Sequence, residues 1–220
     1  MVNVSRETPS VPDAARRAFP SDRLALAERY VDLLATVGVE RGLIGPREAP
    51  RLWERHILNC LALSAALPAG ASVVDLGSGA GLPGLVLAIG RPDLELTLVE
   101  PLLRRTAFLE ETVAVLELSR VAVLRDRAEA LAGRRRFDIV TARALAPLDR
   151  LLGWAMPLVA PQGCLLAMKG SSASAEVAAA DPVLRTLGCA APEILELTGP
   201  DGSSAATVVR VAHADPARLR

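Results

Sequence analysis

The sequence predicts an α/β fold, a largely parallel sheet with helices on both faces, and three observations predict it. Val73-Val74-Asp75-Leu76 is a short apolar run with a carboxylate at its end, and Gly77, Gly79, Gly81 and Gly84 follow it into a helix-compatible segment. Further on, Leu96-Thr97-Leu98-Val99-Glu100 repeats the pattern of apolar run and terminal acid. From there strand-like and helix-like periods alternate, as they do where crossover connections build a parallel sheet.

Each element has a local reason. Residues 1–20 hold no apolar signal core and read as a polar, disordered lead-in. Ser21-Asp22 is expected to cap a helix that carries Leu26, Tyr30, Leu33, Leu34 and Val37 at helical spacing and stops at Gly38. A second helix is expected over 49–67, ended by Pro68. Together they make an N-terminal helical addition, 21–68, on a domain spanning 69–212 with a short tail, 213–220. Strands are expected over 72–75, 95–100, 121–125, 137–141 and 163–169, with helices over 102–118, 148–159 and 173–187 between or after them. Two closing strands follow, 194–197 and 205–211.

Composition bounds the function. With 220 residues, 51% of them apolar, the chain suits a single domain with a sizeable core. The uncharged stretches 57–74 and 151–168 are interrupted by Pro68, Gly70, Pro157, Pro161 and Gly163, so each reads as a helix followed by a buried strand. No membrane partner and a cytoplasmic location are expected. Cys60, Cys164 and Cys189, with two histidines in the chain, are too scattered for a disulfide framework or a metal site, so no metal is expected and the cysteines read as small core residues. A net charge of zero lacks the overall basic footprint of a phosphate-tracking protein. Contact with nucleic acid therefore falls to local clusters, Arg16-Arg17, Arg104-Arg105, Arg125 with Arg127, and Arg134-Arg135-Arg136.

The glycine turn carries the chemistry. Glycines allow φ > 0 and bring backbone close to a ligand, so a flat adenosine-bearing molecule can lie across the two strand ends with Glu100 accepting from ribose hydroxyls. Gly79-x-Gly81-x-x-Gly84 also satisfies the dinucleotide pattern, which keeps nicotinamide cofactors open. Against them, Asp75 sits beside the turn, where a carboxylate suits the ammonium and sulfonium of S-adenosylmethionine better than a pyrophosphate.

Ligands of open α/β sheets bind beyond the carboxyl ends of strands, which here deliver Asp75, Gly77, Glu100, Ala128-Glu129, Arg143 and Lys169. Lys169 is the only lysine among 25 basic residues, and it stands at a strand end. Thr141-Ala142-Arg143-Ala144 offers no Asn/Asp-Pro-Pro-aromatic segment for an exocyclic amine, and no Pro-Cys nucleophile is present for a pyrimidine carbon. A ring nitrogen with its own lone pair, such as guanine N7, suits this inventory. It needs alignment and electrostatic tuning rather than deprotonation.

The order of segments is specific. Arg55-His56-Ile57-Leu58-Asn59-Cys60, the run from Val74 to Gly84, Arg104-Arg105-x-x-Phe108-Leu109, Arg127-Ala128-Glu129, Phe137-Asp138-Ile139-Val140-Thr141-Ala142-Arg143-Ala144 and Met168-Lys169-Gly170 together resemble the bacterial 16S ribosomal RNA guanine-N7 methyltransferase G family, also called glucose-inhibited division protein B. The resemblance covers about Asp22 to Val211. It implies a Rossmann-like fold with a mostly parallel seven-stranded sheet and an antiparallel final strand. It also implies S-adenosyl-L-methionine as methyl donor, S-adenosyl-L-homocysteine as by-product, and methylation of one guanine in the decoding-site loop of 16S ribosomal RNA or the small subunit, with streptomycin sensitivity depending on it. Asp75, Gly77, Gly79, Gly81, Leu82, Glu100, Ala128, Glu129 and Arg143 fall at cofactor positions, while Arg143, Lys169 and His56 are the candidate catalytic residues. Asn59-Cys60 stands where the family motif more commonly has Asp-Ser. A small-molecule methyltransferase with an enclosed apolar pocket and a non-catalytic adenosine-binding module are the rival readings.

Overall fold

The computed structural model describes residues 9–202 and 205–219. Among them β1 (Ser72–Leu76), β2 (Glu95–Val99), β3 (Val121–Leu124), β4 (Phe137–Arg143), β5 (Val159–Lys169), β6 (Glu193–Thr198) and β7 (Ala205–Ala212) form one sheet in the order β3-β2-β1-β4-β5-β7-β6. Strands β1 to β5 pair in parallel, and β7 runs antiparallel to both β5 and β6. The expected mostly parallel seven-stranded sheet with an antiparallel final strand is thus what the chain forms.

Burial on both faces explains why the central strands are near-continuous apolar runs rather than alternating ones. Val73, Leu96, Leu98, Ile139 and Leu166 face one core, which they share with the N-terminal helices, α4 (Gly84–Gly90) and α5 (Leu103–Val115). Val74, Leu76, Val140, Leu165 and Ala167 face the other, closed by α6 (Leu148–Ala155) and α7 (Ala173–Thr186). No helix of the described residues is long and apolar enough to cross a membrane.

Several local expectations are corrected. The lead-in is ordered over part of its length: α1 (Asp13–Ala18) forms, Ala15, Ala18 and Phe19 are buried in the core, and Trp53 Nε1–H donates to Pro9 O at 3.2 Å. Residues 1–8 lie outside the described residues. Helix α2 (Ser21–Leu33) begins after Pro20 with no side-chain cap, so Ser21 and Asp22 occupy its first turn. It continues through a π-helical turn, Leu34–Gly38, so Gly38 does not stop it. The stop is Gly42, at φ +65°, with Leu43 N–H bonded to Gly38 O (2.8 Å) and Gly42 N–H to Val39 O (3.0 Å), the paired closure of a Schellman cap.

The second N-terminal helix is a jointed rod: a 3-10 turn (Ala49–Arg51), a π-helical stretch (Leu52–Leu58), α3 (Asn59–Ala62) and a closing 3-10 turn (Leu63–Ala66). Strand β5 starts at Val159 rather than at 163, because its register against β4 shifts between Phe137 and Ile139 and Gly163 passes the β4 backbone where a Cβ would lie 2.4 Å from Asp138 O. The tail continues the sheet edge: His213 bridges to Cys189, and Ala214 N–H bonds to Gly188 O at 3.0 Å.

Candidate functional site

The glycine turn hangs from the end of β2. Gly77 N–H and Ser78 N–H both donate to Val99 O, at 2.8 and 3.2 Å, and Gly77, Gly79 and Gly81 take φ of +66°, +58° and +97°. The glycines serve different ends. A Cβ on Gly81 would stand 2.3 Å from Leu85 Cδ1 and 2.9 Å from the Tyr30 hydroxyl, and one on Gly84 would stand 2.3 Å from Leu98 Cδ2, so both make room for the protein's own packing. A Cβ on Gly77 would likewise meet the protein's own packing, 2.5 Å from Leu145 Cδ1, but Gly77 also lines a slot.

Both strand-end acids hold this turn by its N–H groups. Asp75 is wholly buried, and its Oδ2 accepts from Gly84 N–H at 3.0 Å while Oδ1 has no partner. Burial pushes its carboxyl up to about 7. Glu100 accepts from Gly79 N–H through Oε2 and from Leu102 N–H through Oε1, both at 3.1 Å, with Arg105 at 3.5 Å. Glu100 is itself buried, so in this structure both of its oxygens serve the turn and the start of the following helix.

Two clefts meet at this loop. A slot of about 150 Å³ is lined by Gly77, Ala128 and Glu129, which the sequence singled out, and by Pro101, Asp126, Leu145 and Trp154, which it did not. A cleft of about 600 Å³, open to solvent, is lined by Asn59, Arg143, Leu145, Met168, Lys169 and Glu176 among others. Leu145 is common to both and marks their junction. Asp75, Gly79, Gly81, Leu82, Glu100 and His56 line neither; Leu82 packs against the core beside the turn.

The cations of the larger cleft are engaged. Arg143, at the end of β4, donates through Nη2 to His56 Nδ1 (2.5 Å) and through Nη1 to Cys60 Sγ (2.9 Å), while His56 Nε2 lies 3.0 Å from Glu48 Oε2. The guanidinium therefore turns toward the N-terminal rod, and Arg143, expected as both a cofactor-contacting and a catalytic residue, lines the larger cleft and not the slot. Cys60 is more than a core filler: it is a guanidinium partner, and burial pushes its thiol up, keeping it neutral. Lys169 donates to Glu176 Oε2 (2.7 Å) and to Ala146 O (2.8 Å), tying the loop after β4 to α7. Asn59 Nδ2–H donates to Ala205 O at 2.6 Å. Among the described residues no cluster of three or more His, Cys, Asp or Glu side chains is placed to hold a metal ion.

A family model described as rRNA small subunit methyltransferase G matches residues 23–202. The chain belongs to the rRNA small subunit methyltransferase G family. It is 67% identical over 217 residues to a ribosomal RNA small subunit methyltransferase G of Nocardioides sp., covering 99% of this chain and 87% of that one. A protein of the same description from Kineococcus radiotolerans is 55% identical over 222 residues, covering 95% and 87%. Solved structures are similar in fold. A ribosomal protein L11 methylase from Lactobacillus delbrueckii subsp. bulgaricus superposes with a TM-score of 0.52 at 14% identity, over 71% of this chain and 76% of that one. A B. subtilis tRNA methyltransferase superposes with a TM-score of 0.51 at 15% identity, over 72% and 66%. The fold is therefore the Rossmann-like methyltransferase fold that the glycine turn and the strand-end acids implied.

In this methyltransferase G chain, sequence reasoning missed Glu48, Cys60, Leu145, Trp154 and Glu176 as site residues. Glu48 and Glu176 look like ordinary surface acids, and only their contacts with His56 and Lys169 distinguish them. A signal did exist for Trp154, one of two tryptophans in a chain with 3% aromatic residues, on the helix that follows the β4 end.

Proposed function

We propose that this chain is an S-adenosyl-L-methionine-dependent methyltransferase that methylates N7 of a guanine in 16S ribosomal RNA, acting on the small subunit in the cytoplasm. One observation carries the reading: a small slot at the glycine turn and a large open cleft meet at a single residue, Leu145. The slot is the site this reading assigns to the adenosyl group, with Ala128 and Glu129 at its wall and Glu100 bonded to the glycine turn beside it. The positive φ angles of the turn let its backbone lie close to the donor, and the buried Asp75 holds the turn in that shape through Gly84 N–H. When bound, that donor supplies an electrophilic methyl group on sulfur.

The chain's own residues then have definable tasks. Arg143 borders the cleft and presents donors suited to guanine O6 or a neighbouring phosphate, and the base needs no proton removed before N7 attacks. Lys169, paired with Glu176, sets the position of the loop that carries Leu145. A small-molecule enzyme would need an enclosed apolar pocket, whereas the larger cleft opens to solvent between an arginine and a lysine. A flipped or splayed base reaching from a larger RNA surface matches that shape.

Radiolabelled methyl transfer to small subunits from a strain lacking the endogenous enzyme, followed by chain cleavage at N7-methylguanine, tests the reading. Label at one guanine of 16S RNA is expected. Binding of donor and by-product without label in RNA would leave the small-molecule enzyme or the adenosine-binding module.

A further inference from the structure

Both nitrogens of His56 are occupied, and the identity of their partners determines where its proton sits. Arginine has donors only, so the 2.5 Å contact from Arg143 Nη2 requires His56 Nδ1 to accept. A neutral imidazole that accepts at Nδ1 carries its hydrogen on Nε2, and Nε2 lies 3.0 Å from Glu48 Oε2. Glu48 is itself held by Arg55 Nη1, at 3.0 and 3.2 Å from its two oxygens. With no ring nitrogen left to meet a substrate, His56 acts on the cleft only through Arg143.

We propose that Glu48 is a positioning residue of this enzyme: by accepting Nε2–H of His56 it fixes the one tautomer whose Nδ1 receives Arg143, and so aims the guanidinium along the wall of the larger cleft. The proposal rests on the methyltransferase reading for what the cleft binds, but the proton arrangement stands without it. The π-helical stretch Leu52–Leu58 carries His56 and α3 carries Cys60, so one jointed rod holds both terminal nitrogens of the guanidinium. A second donor at Nδ1 would face the arginine with N–H against N–H and release it.

The groups facing the imidazole are Glu48, Arg55 and Arg143. Burial and Arg143 push its pKa below the ordinary imidazole value, while Glu48 works against them. Turnover therefore falls as pH drops through that lowered value, where Nδ1 gains a proton. Removing the carboxylate makes protonation harder still, so the acid limb of the pH–rate profile moves further to acid.

Nitrogen-15 NMR reads the tautomer directly, because the chain has only two histidines, His56 and His213, and His213→Gln assigns them. The native protein at neutral pH is expected to show His56 with Nε2 protonated and Nδ1 bare. In Glu48→Ala the Nδ1–H form rises, kcat falls about tenfold, as expected for loss of a charge-assisted hydrogen bond, and the acid limb shifts to lower pH. Glu48→Gln, whose amide oxygen still accepts from Nε2–H, is expected to restore the tautomer and most of the lost kcat while keeping the shifted acid limb. An Nδ1-protonated or doubly protonated His56 in the native protein would overturn the proposal. So would a Glu48→Ala protein with the native tautomer and pH profile. The NMR arm needs no substrate, so its failure is distinct from failure of the methyl-transfer assay.

Discussion

Replacing Lys169 with methionine separates a clamp from a free cation. The ammonium lies 2.7 Å from Glu176 Oε2 and 2.8 Å from Ala146 O, and the two side chains are only 9% and 22% exposed. Methionine keeps the stem's bulk but removes the charge and both bonds. Breaking one partner of a fully buried ion pair costs about 3–5 kcal/mol. Glu176 here retains Leu148 N–H at 2.9 Å and the Ser172 hydroxyl at 2.8 Å, and water reaches it, so the expected loss is nearer about 2 kcal/mol. At this chain length that lowers Tm by about 4–8 °C. Urea unfolding of the native protein, Lys169→Met, Glu176→Gln and the double variant measures the coupling, expected at about 1 kcal/mol or more. Single variants that each cost less than about 0.5 kcal/mol, or that simply add, would refute the clamp and leave Lys169 free for substrate.

Three further outcomes follow from the same loop and its surroundings. Gly81→Ala is expected to lose about 2–4 kcal/mol, since φ is +97° and the new Cβ meets Leu85 at 2.3 Å, whereas Gly79→Ala, with nothing nearer than 3.8 Å, loses about 1 kcal/mol; equal urea midpoints would contradict the packing role. Asp75 holds its proton to about 7 in the folded state against an ordinary 3.8, so the folded state binds the proton more tightly than the unfolded one. Its share of stability is therefore favourable at low pH and is lost as pH rises from about 4 to about 7. The difference in unfolding free energy between Asp75→Asn and the native protein should then shift in the variant's favour between pH 5 and pH 8, and a constant difference would exclude the buried proton. Asn59→Asp, which restores the family's more common residue, places a carboxylate where an amide N–H now donates to Ala205 O at 2.6 Å; it should cost about 1 kcal/mol in a thermal melt, and a gain in stability would show that the amide bond is dispensable.

The sheet was legible because its central strands are buried on both faces and so appear as unbroken apolar runs, as in Val73 to Leu76 and Leu96 to Val99. The strand ends were legible for the same reason, since a polar residue that ends such a run stands where ligands bind. Helix α1 was not, because its buried residues are mainly alanines and give little amphipathic contrast. The π-helical turns at Leu34–Gly38 and Leu52–Leu58 keep the same apolar periodicity as an α-helix to within a residue, so the sequence reads them as ordinary helix. Arg143 and His56 were each chosen from motifs, but their contact spans 87 positions, and no spacing rule links a strand end to a helix so far away.

What the contacts add is a common dependence on one short loop. Ala144 takes φ +53°, a conformation that costs a residue with a Cβ about 1–2 kcal/mol, so neighbouring bonds must impose it. Lys169 holds Ala146 O and Glu176 holds Leu148 N–H just beyond it, while Leu145 lies over Gly77. Arg143, one residue before the strained position, is held from the opposite side by His56 and Cys60. The end of β4 is thus gripped by α7 on one side and by the N-terminal rod on the other, and the residue between the grips separates the two clefts. A change in either grip moves Leu145 relative to Gly77. Lys169→Met and Glu48→Ala, though they touch opposite walls, should therefore share a symptom, a fall in kcat greater than the fall in donor affinity, because both disturb the junction and neither touches the slot.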